Sequence, residues 1–245
     1  MKCMILGAGS GLPHPDFHLS SIIFQTNGSN ILVDCGEGIS KQLLRHGFSG
    51  DFIDAVLISH YHPDHVSGIF MLLQMLYLEG RTKPLRIFLP ERTAALLDAM
   101  HLMYTFEQRF PFILSVDLVK DIGLHYANIS TALTDHLQGY AGHINKNKLP
   151  NLMQSYCFLF TEADKTLVYT SDITSFEGIG HLLEKADIII VDAMHPKAEI
   201  IISMRELPAK QIILTHGIGS KLNRWLISNP DSRFELAQEN LMYQF

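Results

Sequence analysis

The residues best suited to chemistry crowd into one heptapeptide, Ser59–His65, which reads "SHYHPDH" and holds His60, His62, Asp64 and His65. Three imidazoles and a carboxylate so close together suit a borderline cation such as Zn2+, which takes both nitrogen and oxygen ligands. The peptide joins an apolar run that reads as a buried strand, Asp54–Ser59, to a long apolar stretch that reads as a helix, Val66–Glu79. Alternate residues at a strand end point the same way, so His60 and His62 can share one ion. Beyond the turn, Asp64 and His65 can reach a second. A merely polar turn would place four groups that are costly to bury at the end of an apolar strand with no shared partner.

Three more such residues follow apolar strand-like runs: His136 after "STALTD", Asp172 after "TLVYTS" and His216 after "QIILT". Their common position suggests one rim carrying seven ligands. His60, His62 and His136 would hold one metal and Asp64, His65 and His216 the other. Asp172 would bridge the two, with a hydroxide between them. His143, inside the polar stretch Gly142–Asn151, is the alternative to His136 as third-strand ligand. His195, after "ADIIIVDAM", also ends a strand but is left over once the seven are assigned.

The elements that must position these residues alternate along the chain. Strands are expected at Lys2–Leu6, Ser20–Thr26, Asn30–Asp34, Arg86–Leu89, Phe112–Val119, Tyr126–Thr134, Tyr156–Phe160, Thr166–Thr170, Asp187–Asp192 and Gln211–Thr215. Helices are expected at Gly38–His46, Glu91–Thr105, Glu177–Lys185 and Ala198–Leu207, with an Asn-Gly hairpin turn at Thr26–Asn30 and a surface loop at Gly142–Asn151. Mixed elements in both halves favour sheets covered by helices, in a single domain over residues 1–245.

At 47% hydrophobic and 18% charged, the chain of 245 residues is no disordered, collagen-like or coiled-coil protein. No apolar run approaches the roughly 18–20 residues of a membrane span. A net charge of -6 argues against a strongly basic nucleic-acid binder. Three widely spaced cysteines, Cys3, Cys35 and Cys157, form no disulfide framework and suit a reducing cytoplasm. The thirteen histidines are the unusual count. Gly7, Gly9 and Gly11 form a G-x-G-x-G run with no evident following helix, so a tight loop is expected rather than a dinucleotide site. His14 and His18 follow it.

"SHYHPDH" resembles the HxHxDH signature of the metallo-β-lactamase fold superfamily. "LVDCGEGISKQLLRHG", "MLLQMLYLEGRTKPLRIFLP", "LVYTSDI" and "IILTHGIGS" look like segments of its ribonuclease Z branch, and "FELAQENLMYQF" resembles the closing strand. The resemblance covers almost the whole chain. It implies an α/β fold, a four-layer αββα sandwich of two mixed β-sheets flanked by helices. It also implies two divalent ions, Zn2+ preferred and Mn2+ or Fe2+ possible substitutes, and Asp34 as support for a ligand histidine. Two features depart from that branch. No segment corresponds to its long Gly/Pro-rich tRNA-binding arm, which makes tRNA binding doubtful. Its separate His-Glu-Ala-Thr and later His motifs are condensed into Asp192-Ala-Met-His195, a form similar to that of smaller phosphodiesterases of the superfamily.

These features imply a dinuclear phosphodiesterase using a metal-bridging hydroxide on a small phosphodiester or short nucleic acid. Asp64 would orient the hydroxide as well as bind metal, His195 would protonate the leaving oxygen, and Asp192 would orient His195. The rivals are a lactone or thioester hydrolase on the same metals, a redox di-iron protein, and a non-catalytic metal-binding scaffold or carrier. A homodimer through the apolar "IFMLLQMLYL" helix is a further expectation.

Overall fold

The β-rich runs of the sequence pair into two mixed sheets. The computed structural model describes Met1–Phe245, which divide into two compact units: Met1–Ile122 with Gln238–Phe245, and Gly123–Ala237.

In the first unit, β1 (Lys2–Gly7), β2 (Ser21–Thr26) and β3 (Ser29–Val33) run antiparallel. The Asn-Gly turn forms as expected, with Asn27 and Gly28 at φ 46° and 77°, the paired positive values that a two-residue I′ hairpin requires. Next come β4 (Ala55–Leu57), β5 (Leu85–Leu89) and β6 (Leu114–Leu118), parallel to β3. Helices α1 (Ile39–Arg45), α2 (Pro63–Val66), α3 (Ile69–Leu78) and α4 (Thr93–Leu102) lie between these strands in sequence. Leu32, Val56 and Ile87 pack with Ile39, Leu43, Leu72 and Leu76 of α1 and α3 in one apolar core. Each fully buried side chain of this kind contributes about 1.5–3 kcal/mol. Helix α3 also leaves Met71 and Leu78 exposed.

In the second unit, β7 (Ile129–Leu133), β8 (Tyr156–Glu162) and β9 (Lys165–Tyr169) are antiparallel. Strands β10 (Ile188–Asp192), β11 (Gln211–Thr215) and β12 (Phe234–Leu236) extend the sheet in parallel with β9. The register sets Tyr169 beside Ile190 and Asp192 beside Thr215, so the C-terminal ends of β9, β10 and β11 share one edge. The helices here are α5 (Ala141–Asn147), α6 (Gly180–Leu183), α7 (Ala198–Ser203) and α8 (Ser220–Ser228). No helix is long and apolar enough to cross a membrane.

Three expectations need correction. Gly142–Asn151 is a loop only from Lys148 on: a 3-10 turn at His136–Tyr140 leads into α5, which buries none of its side chains and therefore shows no apolar period. The stretch Val66–Glu79 is two helices, interrupted where Gly68 N–H turns aside to donate to Cys35 O at 2.8 Å. The closing strand is also two. Strand β12 ends the second sheet, and β13 (Met242–Gln244) returns to pair with β1.

Arg81 shows how tightly the first unit is tied. Its guanidinium is buried and donates to the carbonyls of Lys83, Gly50, Ile53 and Pro84 at 2.6–2.8 Å. Arg81→Met would leave several of these acceptors dry, and each unsatisfied buried group costs about 1–3 kcal/mol. Urea denaturation is expected to show a loss of about 3 kcal/mol or more, and a loss under 1 kcal/mol would refute this role.

Candidate metal centre

The ligand-bearing loop of the first unit is shaped by local sterics and one buried carboxylate. Strand β4 ends three residues before His60. A proline disfavours helical backbone at the residue before it, and His62, preceding Pro63, is extended at φ -70°, ψ 144°. Pro63 then opens α2, where its missing N–H costs nothing. Asp34 closes the neighbouring β3 with φ 61° and points its side chain back. Its carboxylate accepts Ser59 N–H at 2.8 Å and Ser59 Oγ–H at 3.0 Å, and it pairs with His65 Nδ1 at 2.8 Å. Ser59 Oγ also lies 3.0 Å from His60 Nδ1. Both histidines are thereby oriented by one ring nitrogen and present Nε2: that of His60 is 3.1 Å from His62 Nδ1, that of His65 is 3.5 Å from Asp64 Oδ2.

The second unit gathers its own cluster around Asp172. Oδ2 of this buried carboxylate lies 3.4 Å from His216 Nε2, 3.5 Å from His136 Nε2 and 3.6 Å from His195 Nδ1. Asp192, wholly buried at the end of β10, accepts the N–H groups of Met194 at 2.9 Å, His195 at 3.1 Å and Ile173 at 3.2 Å, and its Oδ2 is 3.0 Å from His195 Nδ1. Ser171 and His216 take positive φ values of 51° and 65°, as Asp34 does. Left-handed non-glycine backbone costs about 1–2 kcal/mol per residue and collects where a site over-determines the chain.

These spacings fit a metal ion. Ligand atoms about 2.0–2.1 Å from a tetrahedral ion lie about 3.3 Å from each other. The pairs His60–His62, Asp64–His65, His136–Asp172 and Asp172–His216 stand at 3.1, 3.5, 3.5 and 3.4 Å. All but the first exceed the ordinary hydrogen-bond range of roughly 2.7–3.2 Å. Nitrogen and carboxylate donors that converge at this distance in a buried or half-buried setting have the chemistry of a divalent-cation donor set.

The structure separates the two third-strand candidates. His136 sits against Asp172, whereas His143 lies exposed on α5 with its contacts to Asn147. His14 is exposed, and His18 pairs with Glu239. Burial pushes the Cys35 thiol well above its ordinary pKa, and the adjacent Asp34 charge adds to the shift, which disfavours the nucleophilic thiolate. Two supports escaped the sequence analysis. Ser59 links Asp34 to His60. Asp135 accepts the N–H of Thr174 and of Ser175 and the Ser175 hydroxyl, while Thr134 Oγ1 donates to Asp172 O, so the loops carrying His136 and Asp172 are tied together. Each flanks a ligand in sequence, and that adjacency was the available signal.

The Asp34 contacts make a direct prediction. Asp34→Ala frees His65 Nδ1 and Ser59 together, and removing such a support typically costs 10–100-fold in metal affinity. Competition against a chromophoric chelator is expected to show that loss, and unchanged affinity would sink the assignment.

Comparison with known proteins agrees with the fold. A family model described as "Anti-Pycsar protein Apyc1" matches residues 1–209. Ribonuclease Z of Methanosarcina mazei is 24% identical over 265 aligned positions, covering 88% of this chain and 87% of that protein. Ribonuclease Z of Methanococcus maripaludis is 40% identical over 98 residues, 40% of this chain, and the match spans only about a third (32%) of that relative's length. The crystal structure of the metallo-β-lactamase fold protein YhfI from Bacillus subtilis superimposes with a TM-score of 0.76 at 20% identity, covering 99% of this chain and 98% of that one.

Proposed function

The chain belongs to the Anti-Pycsar protein Apyc1 family, within the ribonuclease Z-like branch of the metallo-β-lactamase superfamily, and from that premise we propose that it is a dinuclear phosphodiesterase. It is a metal-dependent hydrolase of ester bonds. Its substrate is a small phosphodiester or a short nucleic acid, and three free, buried cysteines suit a reducing cytoplasm. His60, His62 and His136 would hold one ion, Asp64, His65 and His216 the other, and Asp172 would serve both. The observation that carries this reading is the set of four donor pairs at 3.1–3.5 Å, His60–His62, Asp64–His65, His136–Asp172 and Asp172–His216.

When bound, two divalent ions, Zn2+ by preference, polarise phosphoryl oxygens and lower the pKa of water toward about 7. Asp64 orients the attacking water through its carboxylate. His195 stands half-exposed with Nδ1 held 3.0 Å from Asp192 Oδ2. That contact holds the ring by Nδ1 and leaves Nε2 as the nitrogen that would donate a proton to the leaving oxygen.

The test is elemental analysis of the loaded protein followed by a screen. The panel holds a phosphodiester, a lactone, a thioester and a tRNA precursor. Two ions per chain and turnover of the phosphodiester are expected. With a net charge of -6, binding of the tRNA precursor is expected to be weak and to fall steeply with salt. A lactone or thioester turned over far faster than any phosphodiester would overturn the assignment.

A further inference from the structure

The sequence between β1 and β2 carries the glycine run, and the structure shows why glycine is needed there. A Cβ at Gly7 would lie 1.8 Å from Leu19 O, and one at Gly9 would lie 2.9 Å from His18 O. The two ends of the segment 8–18 are therefore in backbone contact, and Gly9 N–H donates to His18 O at 2.9 Å. A surface loop with closed ends is a compact unit that can move as a body. Its tip reaches the ligand set: a Cβ at Gly11 would sit 3.3 Å from Asp64 Oδ2. Just past its outgoing end, Leu19 Cβ and Asp64 O each lie 2.6 Å from where a Cβ at Gly36 would stand, so both flank that glycine.

One carboxylate closes this loop, and it comes from the far end of the chain. Glu239 Oε1 accepts Ala8 N–H at 3.0 Å and His18 N–H at 2.8 Å, one from each end of the loop. Glu239 Oε2 lies 2.7 Å from His18 Nδ1, and the Glu239 side chain is only 9% exposed. Gln42 Nε2, 3.1 Å from the same ring nitrogen, donates to Leu6 O at 3.0 Å, and Arg45 reaches His18 Nε2. Strand β13 and the bond from Asn240 N–H to Ile5 O anchor Glu239 to β1. None of these C-terminal residues lies within the span 1–209 of the family match.

We propose that Glu239 is a positioning residue for the metal centre: it staples the base of loop 8–18 and so holds Gly11 against the Asp64 carboxylate. The proposal rests on the reading of Asp64 as a metal ligand. A carboxylate that must meet an ion at about 2.0–2.2 Å has little tolerance for a wall that shifts. The two amide bonds from opposite ends of the loop are what hold that wall in place.

The test uses the full chain and three variants. Zinc affinity is read by chelator competition, ligand geometry by the visible absorption of the Co2+-substituted protein, and loop closure by hydrogen exchange at the Ala8 and His18 amides. Glu239→Ala is expected to raise exchange at both amides, weaken one of the two ions about 10–100-fold and alter the Co2+ spectrum. Glu239→Gln keeps an Oε1 for both amides and is expected to restore most of the affinity and the spectrum. Gly11→Ala leaves the staple intact but presses a methyl group on Asp64, and is expected to perturb affinity and spectrum while the Ala8 amide stays protected.

Faster exchange in Glu239→Ala with wild-type affinity and spectrum would overturn the proposal. If that variant does not fold, an unchanged Co2+ spectrum in Gly11→Ala overturns it instead. A wild-type chain that takes up no metal would remove the functional reading and this proposal together. Normal wild-type uptake that is indifferent to Glu239 and Gly11 removes the proposal alone.

Discussion

Asp172→Ala is expected to leave a folded protein that holds at most one divalent ion and turns over phosphodiesters at least about 10³-fold more slowly. Oδ2 of Asp172 stands 3.4–3.6 Å from nitrogens of His136, His195 and His216, so one carboxylate oxygen faces three candidate ligands. Removing one histidine takes one donor from one ion. If Asp172 bridges both ions, its removal is expected to take a donor from each of them, with several kcal/mol of charge stabilisation. The metal-free protein responds differently. A buried carboxylate is costly without a cation, so metal-free Asp172→Ala is expected to be as stable as wild type or more so. Thermal denaturation with and without Zn2+ separates the two effects. Wild type gains stability from binding, by about 2.7 kcal/mol when free metal is 100-fold above Kd, and the variant gains little. Two ions retained in the variant would refute the bridging role.

The second large effect concerns the proton. His195→Ala is expected to slow hydrolysis of a phosphodiester with a poor leaving group by about 10²–10⁴-fold, the usual range for a lost general acid. With nitrophenolate, which departs without a proton, the loss is expected to shrink towards nothing. Metal content separates this role from coordination. The ligand atoms of Asp172, Asp192 and His195 all lie within 4.8 Å of one another, close enough for the imidazole to serve as a ligand instead. Loss of an ion from His195→Ala, or a loss of rate indifferent to the leaving group, would remove the acid assignment. Asp192→Asn is the gentler probe. Asp192 also accepts three backbone N–H groups, which asparagine can partly keep through its carbonyl while losing the charge beside His195.

Much of this centre is legible in the sequence, because the forces that shape it there are local. The alternation of a strand and the constraint that Pro63 puts on His62 act over a few residues, so "SHYHPDH" already implied converging donors. The Asn-Gly turn likewise implied the β2–β3 hairpin, and apolar runs marked the strands that lead to Asp34, Asp172, Asp192 and His216. Other features depended on contacts between distant residues. His136 and His143 are equal as residue types. Only the folding of residues 136–147 into a 3-10 turn and α5 sets the first against Asp172 and the second in solvent. The parallel register of β9, β10 and β11 brings Asp172, Asp192 and His216 to one edge, and no single strand encodes it. Asp34 and Ser59, twenty-five residues apart, meet because β3 and β4 pair in parallel. Glu239 meets Ala8 because β13 returns to β1, 231 residues away in sequence. Donor chemistry and local geometry are properties of short segments. Which donors meet is set by strand order and register, and burial rewards those only once the whole sheet has formed.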